Sequence, residues 1–156
     1  MKRKEITANP PHRRFLKGLL ALTEGKTALQ YKLLPSAPDF LIAQAGVGRL
    51  SFRFVIGEDK CRVELFIDRD DAETNERMFD ELLTHKREIQ ATFGDELSWE
   101  RLEGRKSCRV SYRVVTGGAK DDESTWLPTQ IALVDAMIRF EKALLPFIPS
   151  LKLLIY

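Results

Sequence analysis

The chain has 156 residues, of which 44% are hydrophobic and 31% charged, a balance that suits one folded domain with its own core rather than a disordered or fibrous chain. Its 25 basic and 23 acidic residues leave a formal charge of +2, so partners are legible only if charge segregates between faces. Two cysteines and two histidines fit no zinc motif, and no segment approaches the apolar length needed to span a bilayer.

Residues Met1 to Ala8 read as a loose, basic start with no apolar run of the secretory kind behind it, which makes a cytoplasmic location the default expectation. Asn9 can cap a helix, and Pro10 and Pro11 suit its first turn. The segment HRRFLKGLLALTEG then predicts a helix with Phe15, Leu16, Leu19, Leu20 and Leu22 as its apolar stripe and Gly25 as its stop. In YKLLPSAPDFLIAQAGVGR, Pro35 and Pro38 break any period, so an irregular segment leading to a short element is expected.

LSFRFVI and CRVELFIDR, joined by GEDK, predict a β-hairpin. Alternation puts Cys61, Val63, Leu65 and Ile67 on one face, and Arg62, Glu64, Phe66 and Asp68 on the other. On the partner strand, Phe52, Phe54 and Ile56 oppose Ser51, Arg53 and Val55. RDDAETNERMFDELLTHKREIQATFG predicts one long helix, with Met78, Phe79, Leu82, Leu83, Ile89 and Phe93 at helical spacing. Asp71 or Thr74 can start it and Gly94 can end it.

LSWERLEGRKSCRVSYRVV predicts a second hairpin turning at Gly104, with Cys108, Val110, Tyr112 and Val114 on one face and Arg109, Ser111 and Arg113 on the other. Cys61 and Cys108 both fall in these strand-like runs, where reduced core thiols are expected. A last helix is expected from Pro128 to Leu145, with Ile131, Val134, Met137, Ile138, Phe140, Leu144 and Leu145 available for packing. Trp126 precedes it and can staple against Gln130 or Ile131, while Trp99 covers one end of the core. The tail LKLLIY is apolar enough to pack back on the domain or meet a partner chain. The expected fold is α+β, a single domain over residues 9–156: a small antiparallel sheet built from two hairpins, packed with about three helices on one face.

The pieces RVELFIDR, MFDELLTHKREI and FGDELSWERLEGRKSCRV, followed by the tryptophan-led final helix, jointly resemble a bacterial and archaeal family known as domain-of-unknown-function family 4268. The likeness covers roughly residues 50 to 145. Such domains occur alone or at the end of longer proteins, sometimes behind nuclease-like regions. The resemblance therefore implies a link to DNA processing or defence, and it transfers no catalytic residue.

Four sets of side chains bear on function. Arg53, Arg62, Arg109 and Arg113, with Glu64 and Asp68, lie on polar strand faces and would form one charged platform if the hairpins pair. Such a platform can contact phosphates while Phe66 stacks on bases, unless it is simply a solvated or ion-paired face. Lys2, Arg3, Lys4, Arg13, Arg14 and Lys17 form a basic cluster that strengthens DNA or RNA binding if the first helix lies near the platform, and is otherwise a solvated start. Glu64 and Asp68, with Asp70 and Asp71, offer carboxylates for a magnesium ion, although the acidic residue and lysine two apart on a strand that restriction-type nucleases use are missing. His85, with Glu81 and Glu88, has no nucleophile beside it and suits a helix surface. The expectation is a non-catalytic binding or accessory domain without a cofactor, whose partner is DNA or RNA, a second copy, or another protein with an acidic surface. The alternatives are a homodimeric interaction module and a metal-dependent nuclease; no membrane is expected.

Overall fold

The apolar residues of the first segment recur at helical spacing, and they make a helix. α1 runs Pro10–Thr23 and buries Phe15, Leu16 and Leu19 on one side. The computed structural model describes residues 10–37, 39–102, 104–114 and 117–155. The basic start Met1 to Ala8, with Lys2, Arg3 and Lys4, the cap Asn9 and the strand end Val115 lie outside the described residues.

Six strands form one antiparallel sheet: β1 (Lys32–Leu33), β2 (Phe40–Gln44), β3 (Leu50–Ile56), β4 (Cys61–Ile67), β5 (Ser98–Arg101) and β6 (Cys108–Val114), in the order β1-β2-β3-β4-β6-β5. The fold is α+β as expected, and both hairpins are present. β4 and β6 join them, pairing over their full lengths from Cys61 opposite Val114 to Ile67 opposite Cys108. The sheet is larger than two hairpins because the segment read as irregular supplies β1 and β2. Pro35 falls in the turn before β2, so it interrupts neither strand. In β2, Leu41 and Ala43 turn inward and Phe40, Ile42 and Gln44 outward. A tight turn with Gly46 and Arg49 at positive φ, 95° and 67°, then leads into β3.

The long helix expected after β4 is two helices, α2 (Ala72–Leu83) and α3 (Lys86–Phe93). The break falls at Thr84, whose hydroxyl donates to the Glu81 carbonyl at 2.6 Å, and at His85, whose ring stacks on Phe147 with centroids 4.4 Å apart. Asp71 caps α2, accepting from the Glu73 amide at 3.2 Å and the Thr74 hydroxyl at 2.6 Å. Gly94, at φ 96°, ends α3.

α4 spans Trp126–Leu144, starting two residues earlier than the sequence suggests. Trp126 is the first residue of α4 rather than the residue that precedes it. Its ring meets Phe15 edge-on at 5.2 Å, and its Nε1 donates to the Asp121 carbonyl at 3.1 Å. Val134, Met137, Phe140 and Leu144 are buried, whereas Ile131 and Ile138, expected to pack, are 54% and 37% exposed. They lie on the side of α4 that faces away from the sheet.

The helices all pack on one face of the sheet. Phe140 of α4 lies edge-on to Phe52 of β3 at 5.8 Å and to Phe93 of α3 at 6.1 Å. Phe79 of α2 meets Trp99, and α1 is held along α4 where the Gln130 amide donates to the Phe15 carbonyl at 2.9 Å. Each large side chain fully buried in this layer contributes on the order of 2 kcal/mol. The C-terminal turns join it: Ile148 and Leu151 are buried and Leu153 is exposed, so the tail packs back on its own domain. Cys61 and Cys108 are buried free thiols, and burial pushes both up to about 11. Among the described residues no helix is long and apolar enough to cross a membrane.

Candidate functional site

With the helices on one face, no element among the described residues covers the sheet's second face. Alternation sends Phe40 and Ile42 of β2, Ser51, Arg53 and Val55 of β3, Arg62, Glu64 and Phe66 of β4, Glu100 of β5, and Arg109, Ser111 and Arg113 of β6 to that face. Register then fixes the neighbours. Arg62 stands opposite Arg113, Glu64 between Arg53 and Ser111, and Phe66 between Ser51 and Arg109. The four strand arginines singled out in the sequence are therefore brought together.

They are not equivalent. Glu64, only 2% exposed, is the central counter-ion: Arg62 Nε donates to it at 2.8 Å and Arg109 Nη1 lies 3.7 Å away. Arg109 Nε also donates to Glu100 at 2.9 Å. Arg53 donates to the Ser51 hydroxyl at 3.1 Å, and its guanidinium lies over two rings, 4.4 Å from the centroids of both Phe40 and Phe66. Burial lowers the Arg53 pKa, against the pull of Glu64 and Asp68, yet a guanidinium starts high enough to remain a cation. Arg113 is exposed and has no ion pair among the described residues. Two like charges directly across a β-ladder repel. The Arg62–Arg113 pair is thus answered on one side only, by Glu64. Four arginines against Glu64, Glu100 and, beside Arg53, Asp68 leave this face with a small excess of positive charge.

The amino-terminal cations lie elsewhere. α1 sits in the helical layer, so Arg13, Arg14 and Lys17 are not joined to the arginine face. Arg14 pairs with Glu123 at 3.3 Å. Arg13 buries Nη1 without a hydrogen-bond partner among the described residues.

Glu64 and Asp68 share the open face but do not converge. Glu64 is engaged by arginines and Asp68 lies 3.8 Å from Arg49. Asp70 is held between Arg49 at 3.9 Å and Lys106 at 3.4 Å, and Asp71 caps α2. Among the described residues no group of three or more His, Cys, Asp or Glu side chains is placed to hold a metal ion. His85 sits on the helical side with Glu81 at 3.4 Å and Glu88 at 3.5 Å.

Sequence reasoning missed Phe40, Ile42 and the partnering role of Glu100. The alternation in FLIAQ was the available signal for the first two, masked by the flanking prolines. Nothing local to β5 announces that Glu100 lies opposite Arg109.

The model of a family described as a domain of unknown function, DUF4268, matches residues 17–148. That is most of the chain, and the chain belongs to this family. No curated protein and no solved structure matches it.

Proposed function

We propose that this member of the DUF4268 family is a non-catalytic binding domain whose open sheet face takes the phosphate backbone of a nucleic acid. The observation that carries the reading is the cross-strand pair Arg62–Arg113, which faces solvent with more positive than negative charge around it. Guanidinium groups bind phosphate through paired N–H donors, and release of counter-ions from the polyanion supplies the free energy. Arg113 is the first contact, being exposed and without an ion pair among the described residues. Arg62 and Arg109 are shared with Glu64, so a phosphate must compete with that carboxylate. Backbone contacts of this kind specify no sequence.

The test is fluorescence anisotropy of a labelled oligonucleotide across a salt series from about 50 to 200 mM. Arg113→Glu reverses an exposed charge without touching the core. It is expected to weaken binding about tenfold at low salt and to flatten the salt dependence. Equal binding by wild type and variant refutes the role of this face.

A second reading, an interaction module that pairs with its own copy, is favoured by one observation. Leu127, Ile131 and Ile138, exposed by 52%, 54% and 37%, fall along one line of α4.

A further inference from the structure

Two phenylalanines on an uncovered sheet face require an explanation that phosphate binding does not provide. Phe40 and Phe66 point away from the core and are half-buried, and among the described residues no second layer packs over them. Arg53 lies between them on β3, on the diagonal that joins β2, β3 and β4, since its register partners are Ile42 and Glu64. Its guanidinium stands 4.4 Å from each ring centroid. Phe40, Arg53 and Phe66 thus form a continuous π–cation–π stack across three adjacent strands, fixed at its middle by the Arg53–Ser51 hydrogen bond. The phosphate-facing groups flank this stack. Val55 and Arg62 continue the row of Phe40 toward Arg113, and Arg109 continues the row of Phe66.

Resting on the nucleic-acid reading above, we infer that the ligand is single-stranded, with unpaired bases stacking on the Phe40–Arg53–Phe66 diagonal while their phosphates lie along Arg62, Arg113 and Arg109. In a duplex the base faces are stacked on one another and unavailable, so a flat sheet meets only backbone. In a single strand every base offers a π-face, and stacking on aromatic side chains is tolerant of sequence. Arg53 suits this role because its guanidinium touches rings and a hydroxyl, while Glu64 and Asp68 act on it without a close ion pair among the described residues; the cation leaves the stack electron-poor toward an incoming base.

The experiment compares four labelled ligands of equal length, about 20 nucleotides, on the full chain: oligothymidylate, oligouridylate, an abasic deoxyribose-phosphate strand, and duplex DNA. Wild type is expected to bind the base-bearing single strands about tenfold more tightly than the abasic strand or the duplex. A difference between thymidylate and uridylate assigns DNA or RNA, and either preference supports the inference. Phe66→Leu keeps an apolar side chain on the face and removes the ring; Phe40→Leu is the parallel variant should the first fold poorly, as judged by its melting curve. Each is expected to lower oligothymidylate affinity to the abasic level and leave abasic binding unchanged. Equal binding to thymidylate, abasic strand and duplex overturns the stacking inference and leaves the phosphate reading standing. Absence of binding to all four at low salt overturns both and makes the face a protein contact.

Discussion

Two buried carboxylates show how differently one residue type is used in this fold. Glu141, on α4, accepts from the Ala28 amide at 2.8 Å, the Leu29 amide at 3.3 Å and the Tyr31 hydroxyl at 2.7 Å. It pins the segment after α1 to α4, and burial together with this carboxylate holds the Tyr31 hydroxyl well above its ordinary pKa. Glu141→Ala leaves three donors without an acceptor and is expected to cost about 3 kcal/mol in a denaturant titration. A loss within experimental error would show that water replaces the carboxylate without penalty. Glu64 is instead the counter-ion of the arginine face. Glu64→Gln keeps a side-chain oxygen for Arg62 but removes the negative charge, so Arg62 and Arg109 turn their full charge outward. The variant is expected to fold less stably and to bind oligonucleotides at low salt about threefold or more tighter than wild type. Binding that weakens in parallel with Arg113→Glu would mean that Glu64 shapes the site rather than competing for it.

At the scale of elements, legibility followed the clarity of the period. β3, β4 and β6 alternate cleanly, and their inward and outward residues were readable from the strings LSFRFVI, CRVELFI and CRVSYRV. β1 was out of reach: two residues carry no period, and they are a strand only because Lys32 and Leu33 find Ile42 and Leu41 across the ladder. The division of α2 from α3 was hidden for the opposite reason. Met78, Phe79, Leu82, Ile89 and Phe93 keep a helical spacing across a break made by the local hydrogen bond of Thr84 and the stacking of His85 on Phe147, neither of which alters the apolar pattern. On α4 the sequence offered more apolar residues than the core can take. The sheet, α1 and α3 occupy three sides, and the fourth keeps Leu127, Ile131 and Ile138 in solvent. If the chain pairs through this line, sedimentation velocity will show a dimer for wild type and a monomer for Ile131→Glu. A wild-type monomer at every concentration rules the pairing out.

For the whole molecule, the decisive property is that the two-layer α+β fold of the described residues leaves one side of the sheet without helices. The sequence placed Arg53, Arg62, Arg109 and Arg113 on polar strand faces. It could not reveal that β4 and β6 are neighbours, which converts two separate hairpin faces into one, nor that α1 with Arg13, Arg14 and Lys17 belongs to the other side. Those are consequences of strand order and layer packing, which depend on contacts between residues distant in the chain. The cations of this nearly neutral protein are consequently divided between two sides. Both set guanidinium groups over rings, Arg139 over Phe93 on the helical side and Arg53 over Phe40 and Phe66 on the sheet side. The most direct measurement follows the arginine Nε–Hε resonances by NMR as oligothymidylate is added. The signals of Arg53, Arg62, Arg109 and Arg113 are expected to move saturably while those of Arg14, Arg77 and Arg139 on the helical side stay in place. Movement confined to the helical-side arginines, with the four sheet arginines unchanged at saturation, would contradict the assignment of the open face as the binding surface.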